Sequence, residues 1–157
     1  MLDKINCWID QTLNHYSEQM VSCERFCQQF DGFYPSVFLA KSYFVTVDRL
    51  PKPDFPELRQ AGFGGFIDME LEGITYKNTY FIKKGYESDI ALHFHELVHV
   101  LQWQNLGTLP FIQRYMEEIL QFGYRNAPLE KMAYDLQSYF SMGKKALDVP
   151  GYVQNKI

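Results

Sequence analysis

The run His95-Glu96-Leu97-Val98-His99 sets two histidines four residues apart and a glutamate directly after the first. On a helix, residues four apart are separated by about 400°, so His95 and His99 project from one face and can grip a single cation. Glu96 is placed to contact a water held on that cation without itself being a ligand. The pattern points to a zinc-binding helix and to hydrolytic chemistry, with His95 and His99 as ligands and Glu96 as general base. Phe94, Leu97, Val98 and Leu101 add the i, i+3, i+4, i+7 stripe of a helix packed into a core. The blander reading makes these two satisfied histidines on an ordinary helix. It is disfavoured because a glutamate set among Phe94, Leu97, Val98 and Val100 would be costly to bury without a task. His93 lies about 140° from the ligand face and is expected to have a surface or packing role.

A catalytic zinc site takes three protein ligands and keeps one position open, so the third ligand must come from elsewhere. Gly107 ends the metal helix, and Thr108-Leu109-Pro110 starts another whose apolar stripe is Phe111, Ile112, Met116, Ile119 and Leu120, up to Gly123. Asn126-Ala127-Pro128 opens a final helix, in which Leu129, Met132, Ala133, Leu136 and Phe140 face the core. Glu130 lies in its first turn, on the side shared with Ala133, Tyr134 and Gln137, from which a carboxylate can reach inward. It is the expected third ligand; the alternative is a first-turn glutamate favoured only by the helix dipole. Glu117 and Glu118 read as a solvated face. Asp135 points about 140° away from Glu130.

Upstream, Ile5, Trp8, Ile9, Leu13, Tyr16, Met20 and Phe26 recur at roughly a helical period, which predicts one long or two short helices between Asp3 and Gln29. Asp31-Gly32 ends that region, and Asp31-Gly32-Phe33-Tyr34-Pro35 reads as a core-packing turn rather than a cover for a cleft. Tyr43 to Val47 is β-branched and aromatic and predicts a strand, whereas Pro51, Pro53 and Pro56 predict a loop over Leu50 to Pro56. Gly62, Gly64 and Gly65 lack the Lys-Ser/Thr of a phosphate loop and read as a turn or bulge. Phe66 to Glu72 alternates weakly. Ile74 to Tyr76 and Thr79 to Ile82, either side of Lys77-Asn78, predict a hairpin or one kinked strand, and Ser88 is the expected N-cap of the metal helix.

With 157 residues, 46% of them hydrophobic, the chain suits a single domain with a core that needs no disulfide staples. The expected domain is 1–157, with 1–60 as an N-terminal helix and strand region and 63–142 as the metal-site core. A net charge of −4 and no Lys/Arg cluster speak against nucleic acid as a partner. The start shows no signal-peptide pattern, no apolar run is long enough for a membrane span, and the odd set Cys7, Cys23 and Cys27 favours reduced thiols. These features predict a cytoplasmic protein with no membrane partner and leave its oligomeric state open.

Taken together, His95-Glu96-Leu97-Val98-His99-Val100-Leu101-Gln102 and the later Pro128-Leu129-Glu130-Lys131-Met132-Ala133 resemble the gluzincin metallopeptidases, in particular the small bacterial metallopeptidase domains and minigluzincins. The resemblance covers roughly residues 63 to 142. It implies that His95, His99 and Glu130 hold Zn2+, that Glu96 is the general base, and that the activity is peptide-bond hydrolysis. It further implies an α+β, zincin-like single domain: an N-terminal helical segment, a small twisted mixed sheet packed on the metal-binding helix, and C-terminal helices. A peptide or protein substrate would lie along an edge strand near Ile74–Ile82. Relatives often place an aspartate four residues after the ligand glutamate; here that position is Tyr134, which either orients a ligand, polarises the scissile carbonyl or simply packs. Tyr124, Arg125 and Arg114 are further candidates to steady the oxyanion. The competing function is a catalytically silent zinc-binding domain that binds a peptide or protein partner.

Overall fold

The computed structural model describes residues 1–157. Its framework is a four-stranded sheet in the order β1-β2-β4-β3, from β1 (Val21–Ser22), β2 (Tyr43–Val47), β3 (Gly73–Tyr76) and β4 (Thr79–Lys83). β2 and β4 run parallel, with Val45 opposite Phe81, while β1 and β3 pair antiparallel at the two edges. The predicted hairpin is β3–β4. Its turn places Lys77 at φ 60°, the left-handed region that a non-glycine residue rarely occupies. Only β3 of this hairpin is an edge strand; β4 is interior, so the expected substrate edge shrinks from Ile74–Ile82 to β3.

Strand alternation sends Phe44, Tyr80 and Ile82 to one face and Val45, Val47 and Phe81 to the other. The first face packs on α5 (Ile90–Leu106), meeting Phe94, Leu97 and Val98. The second is covered by α1 (Leu2–His15) through Ile5 and Ile9. α5 is buried along its whole middle, Leu92 to Trp103, rather than along the single stripe its periodicity predicts. The sheet covers one side, α7 (Pro128–Ser141) lies along another, and α6 (Thr108–Phe122) and α8 (Val149–Lys156) close the rest. Fully buried Ala133 sits in the core between them. No helix is long and apolar enough to cross a membrane.

Several local expectations change. The N-terminal helix stops at His15, and the chain continues through single helical turns at Ser17–Gln19 and Cys23–Phe26 around β1. The cap of α5 is Asp89, whose carboxylate accepts from Leu92 N, and not Ser88. The proline-rich loop ends where Pro56 opens α3 (Pro56–Leu58), the position at which a missing N–H costs nothing. Gly62, at φ 102°, makes the kink between α3 and α4 (Gly64–Asp68), so Phe66 to Asp68 are helical rather than alternating. A short α2 (Ser36–Ala40) leads into β2. The helix opened by Pro128 is not the last: α8 follows, capped by Asp148, with Val149 and Val153 fully buried. The turn Asp31 to Pro35 packs in the core as expected, and Tyr34 Oη donates to Phe94 O at 2.8 Å.

Candidate metal centre

α5 delivers His95 and His99 on successive turns, and α7 delivers Glu130 from its first turn. Their ligand-type atoms converge: His95 Nε2 and His99 Nε2 are 3.2 Å apart, His95 Nε2 is 3.2 Å from Glu130 Oε1, and His99 Nε2 is 3.1 Å from Glu130 Oε2. Zinc–ligand bonds of 2.0–2.2 Å in a tetrahedron place neighbouring ligand atoms about 3.3 Å apart, a spacing that each of these three contacts meets, with one Glu130 oxygen facing each histidine. The buried triad His95, His99 and Glu130 could hold a metal ion. The three are 2%, 4% and 3% exposed, leaving little water to screen the charges they carry.

Each histidine's other nitrogen is also engaged. His95 Nδ1 faces Gln137 Oε1 at 2.9 Å and His99 Nδ1 faces Gln102 Oε1 at 2.7 Å. An amide oxygen can only accept, so both Nδ1 atoms carry protons and, in the neutral rings that a metal would require, both Nε2 lone pairs point toward Glu130 and each other. Burial pulls the His99 pKa down, but the Glu130 and Glu96 carboxylates outweigh it and push it up to about 9. For Glu130, burial works upward, and His99 and His95 reverse it, holding the carboxyl well below the usual range. Tyr115 Oη, on α6, donates to Glu130 Oε2 at 2.6 Å.

Glu96 stands beside the triad rather than in it, with Oε2 3.8 Å from His95 Nε2. Thr75 Oγ1, on β3, donates to Glu96 Oε1 at 2.9 Å. Burial raises the Glu96 pKa above the ordinary carboxylate value, partly offset by the neighbouring histidines. Such a carboxyl is set to exchange a proton nearer neutral pH than a solvated one.

The predicted trio is thus brought together, and Asp135 and Glu117 stay outside it. Glu118 is a correction: it is buried, not on a solvated face, and its Oε1 accepts from Leu129 N at 2.8 Å while Oε2 pairs with Arg114. The amphipathic pattern of α6 hid this because Glu118 faces the start of α7. Arg114 is spent on that pair and on Ile157 O. His93 has the packing role: it is fully buried, with Nε2 donating to Glu87 O and Nδ1 accepting from Tyr80 Oη.

The Tyr134 and His95 rings meet at a steep angle, centroids 4.5 Å apart, and the Tyr134 hydroxyl lies 3.2 Å from that of Tyr124. Arg125 lies over the Tyr134 ring. Tyr124, and not Tyr134, lines the cavity that opens beside Glu96, His99 and Glu130. That cavity runs along all of β3 and is otherwise apolar, walled by Ile5, Ile9, Phe63, Ile74, Phe111 and Tyr115 among others. Sequence reasoning missed Gln102, Gln137, Thr75 and Tyr115. Gln102 sits three residues after His99, on the same helix face, and that spacing is the signal in the sequence that points to it. No protein-family model, curated protein or solved structure matches the chain.

Proposed function

We propose that this chain is a zinc-dependent metallopeptidase of the gluzincin type, with a zincin-like arrangement of edge strand over metal helix. The observation that carries the reading is the convergence of His95, His99 and the two Glu130 oxygens, with contacts of 3.1 to 3.2 Å between them and Glu96 alongside but outside the cluster. Zinc, when bound, supplies Lewis acidity toward a water and toward a carbonyl oxygen. Glu96 accepts the proton of the attacking water and returns it to the leaving amine, a double role suited to a carboxyl whose pKa is raised by burial. Tyr124 offers its hydroxyl to the carbonyl oxygen from the cavity wall, and Tyr134 orients that hydroxyl from behind. β3, an edge strand of the sheet, receives the substrate as an added extended strand.

Metal analysis and one substitution test this. Purified protein should carry about one zinc per chain, and Glu96→Gln should keep the metal while losing hydrolysis of a generic peptide mixture. Protein without metal would sink the reading. Metal without hydrolysis in the unaltered chain would turn it into a silent zinc-binding domain.

A further inference from the structure

We propose that Gln102 is the positioning residue that joins the two halves of the donor set, fixing which nitrogen of His99 faces the metal and holding the backbone from which Glu130 projects. The inference rests on the metal-site reading above. Leu129 O can only accept a hydrogen bond, and Gln102 Nε2 lies 3.0 Å from it and 3.4 Å from Met132 Sδ, a second acceptor. The amide is therefore oriented with nitrogen toward α7, which turns Oε1 toward His99 Nδ1 at 2.7 Å. Oε1 demands a proton on Nδ1, so the neutral His99 ring is left with its Nε2 lone pair toward His95 and Glu130. The tautomer of a residue on α5 is thus dictated by a carbonyl on α7.

That carbonyl belongs to the residue just before Glu130. The Leu129 backbone is held twice: its oxygen by Gln102 and its N–H by Glu118 Oε1 at 2.8 Å. Gln102 is fully buried, so no water can replace either of its bonds without repacking. Gln137 lacks this anchoring. It accepts from His95 Nδ1, but its side-chain nitrogen makes no hydrogen bond within the protein and the residue is only half-buried. The two glutamines look equivalent from the metal and are not.

The test compares Gln102→Met with Gln137→Met, because methionine keeps the length and volume of glutamine while removing its hydrogen bonds. Zinc affinity is read by competition with a chelator, and thermal stability is read separately in EDTA. Gln102→Met should weaken zinc binding about 10–100-fold, the range for partners of metal-bound histidines, with a smaller loss in Gln137→Met. In the zinc-loaded unaltered protein, ¹H–¹⁵N spectra should show His99 bound through Nε2 with an Nδ1–H protected from exchange, and Gln102→Met should lose that protection. Lower stability in EDTA with zinc affinity unchanged would reduce Gln102 to a packing residue and overturn the proposal. Binding of zinc through His99 Nδ1 would overturn it as well, and that spectrum decides the matter if Gln102→Met does not fold. An unaltered protein that takes up no zinc instead refutes the metal-site reading itself.

Discussion

A Cβ placed on Gly73 would lie 3.1 Å from Cδ of Glu96. β3 therefore approaches the Glu96 carboxylate so closely that any side chain at this position would press on it, while Thr75, two residues on and on the same side of the strand, donates to its Oε1. Gly73→Ala should shift the Glu96 carboxylate by a few tenths of an ångström and slow hydrolysis by less than the ~100-fold that a misplacement of about 1 Å costs. Zinc content should not change, because the atoms nearest a Cβ at Gly73 all belong to Glu96 and none to His95, His99 or Glu130. Parallel measurement of bound zinc and kcat/KM checks this; loss of both together would show that the strand supports the metal site as a whole.

Tyr115 reaches from α6 to Glu130 with a 2.6 Å hydrogen bond to a charged acceptor. Hydrogen bonds to charged groups contribute about 1.5–3 kcal/mol. Tyr115→Phe should thus weaken zinc binding by about tenfold or more while retaining its ring stacking on Phe111. Chelator competition measures it, and Glu130→Ala should be more severe than Tyr115→Phe, whereas Asp135→Ala should leave affinity as it is.

Glu118 caps the start of α7 through Leu129 N. Removing a buried acceptor strands that N–H, a loss of about 1–3 kcal/mol. Glu118→Ala should lower the denaturation midpoint in EDTA, and Glu117→Ala, on the exposed side of the same helix, should leave it nearly unchanged. Equal midpoints for the two variants would contradict the assignment.

Metal removal should give the stability an unusual pH slope. His99 has its folded pKa raised from 6.5 to about 9, so its contribution is fully present below pH 6.5 and is lost as pH rises through 9. By the conversion of 1.36 kcal/mol per unit this amounts to about 3 kcal/mol. Glu130 has the opposite sign: its folded pKa is depressed, so its contribution is present above 4.5 and lost as pH falls below it. Stability from this pair in EDTA should therefore be greatest between pH 4.5 and 6.5. With zinc the trend reverses, because binding needs neutral histidines and tightens as pH rises. The gap in Tm between zinc-loaded and metal-free protein should widen from pH 6.5 to 9; a constant gap would contradict the coupling of His99 to Glu130.

The strands at Tyr43 to Val47 and across Lys77-Asn78 were legible because β-branched and aromatic runs were bounded by turn residues. α5, α6 and α7 were legible because Gly107, Gly123 and Pro128 punctuate them. α8 was not, since Pro150-Gly151 in its first turn looks like a break until Asp148 is seen to cap it. Glu118 was misplaced for a related reason. Its periodicity describes α6 alone, and the surface it buries belongs to α7.

By itself the sequence determined that His95, Glu96 and His99 share one helix and how they are spaced, because helical geometry is local and depends on nothing beyond neighbouring residues. It also singled out Glu130 as the candidate third ligand. What only the tertiary structure decided is the set of contacts made between elements far apart in the chain: Gly73 and Thr75 against Glu96, Tyr115 against Glu130, and Gln102 between His99 and Leu129. Those contacts arise from how β3, α6 and α7 pack around α5, and packing between distant segments leaves no periodic trace in any one of them.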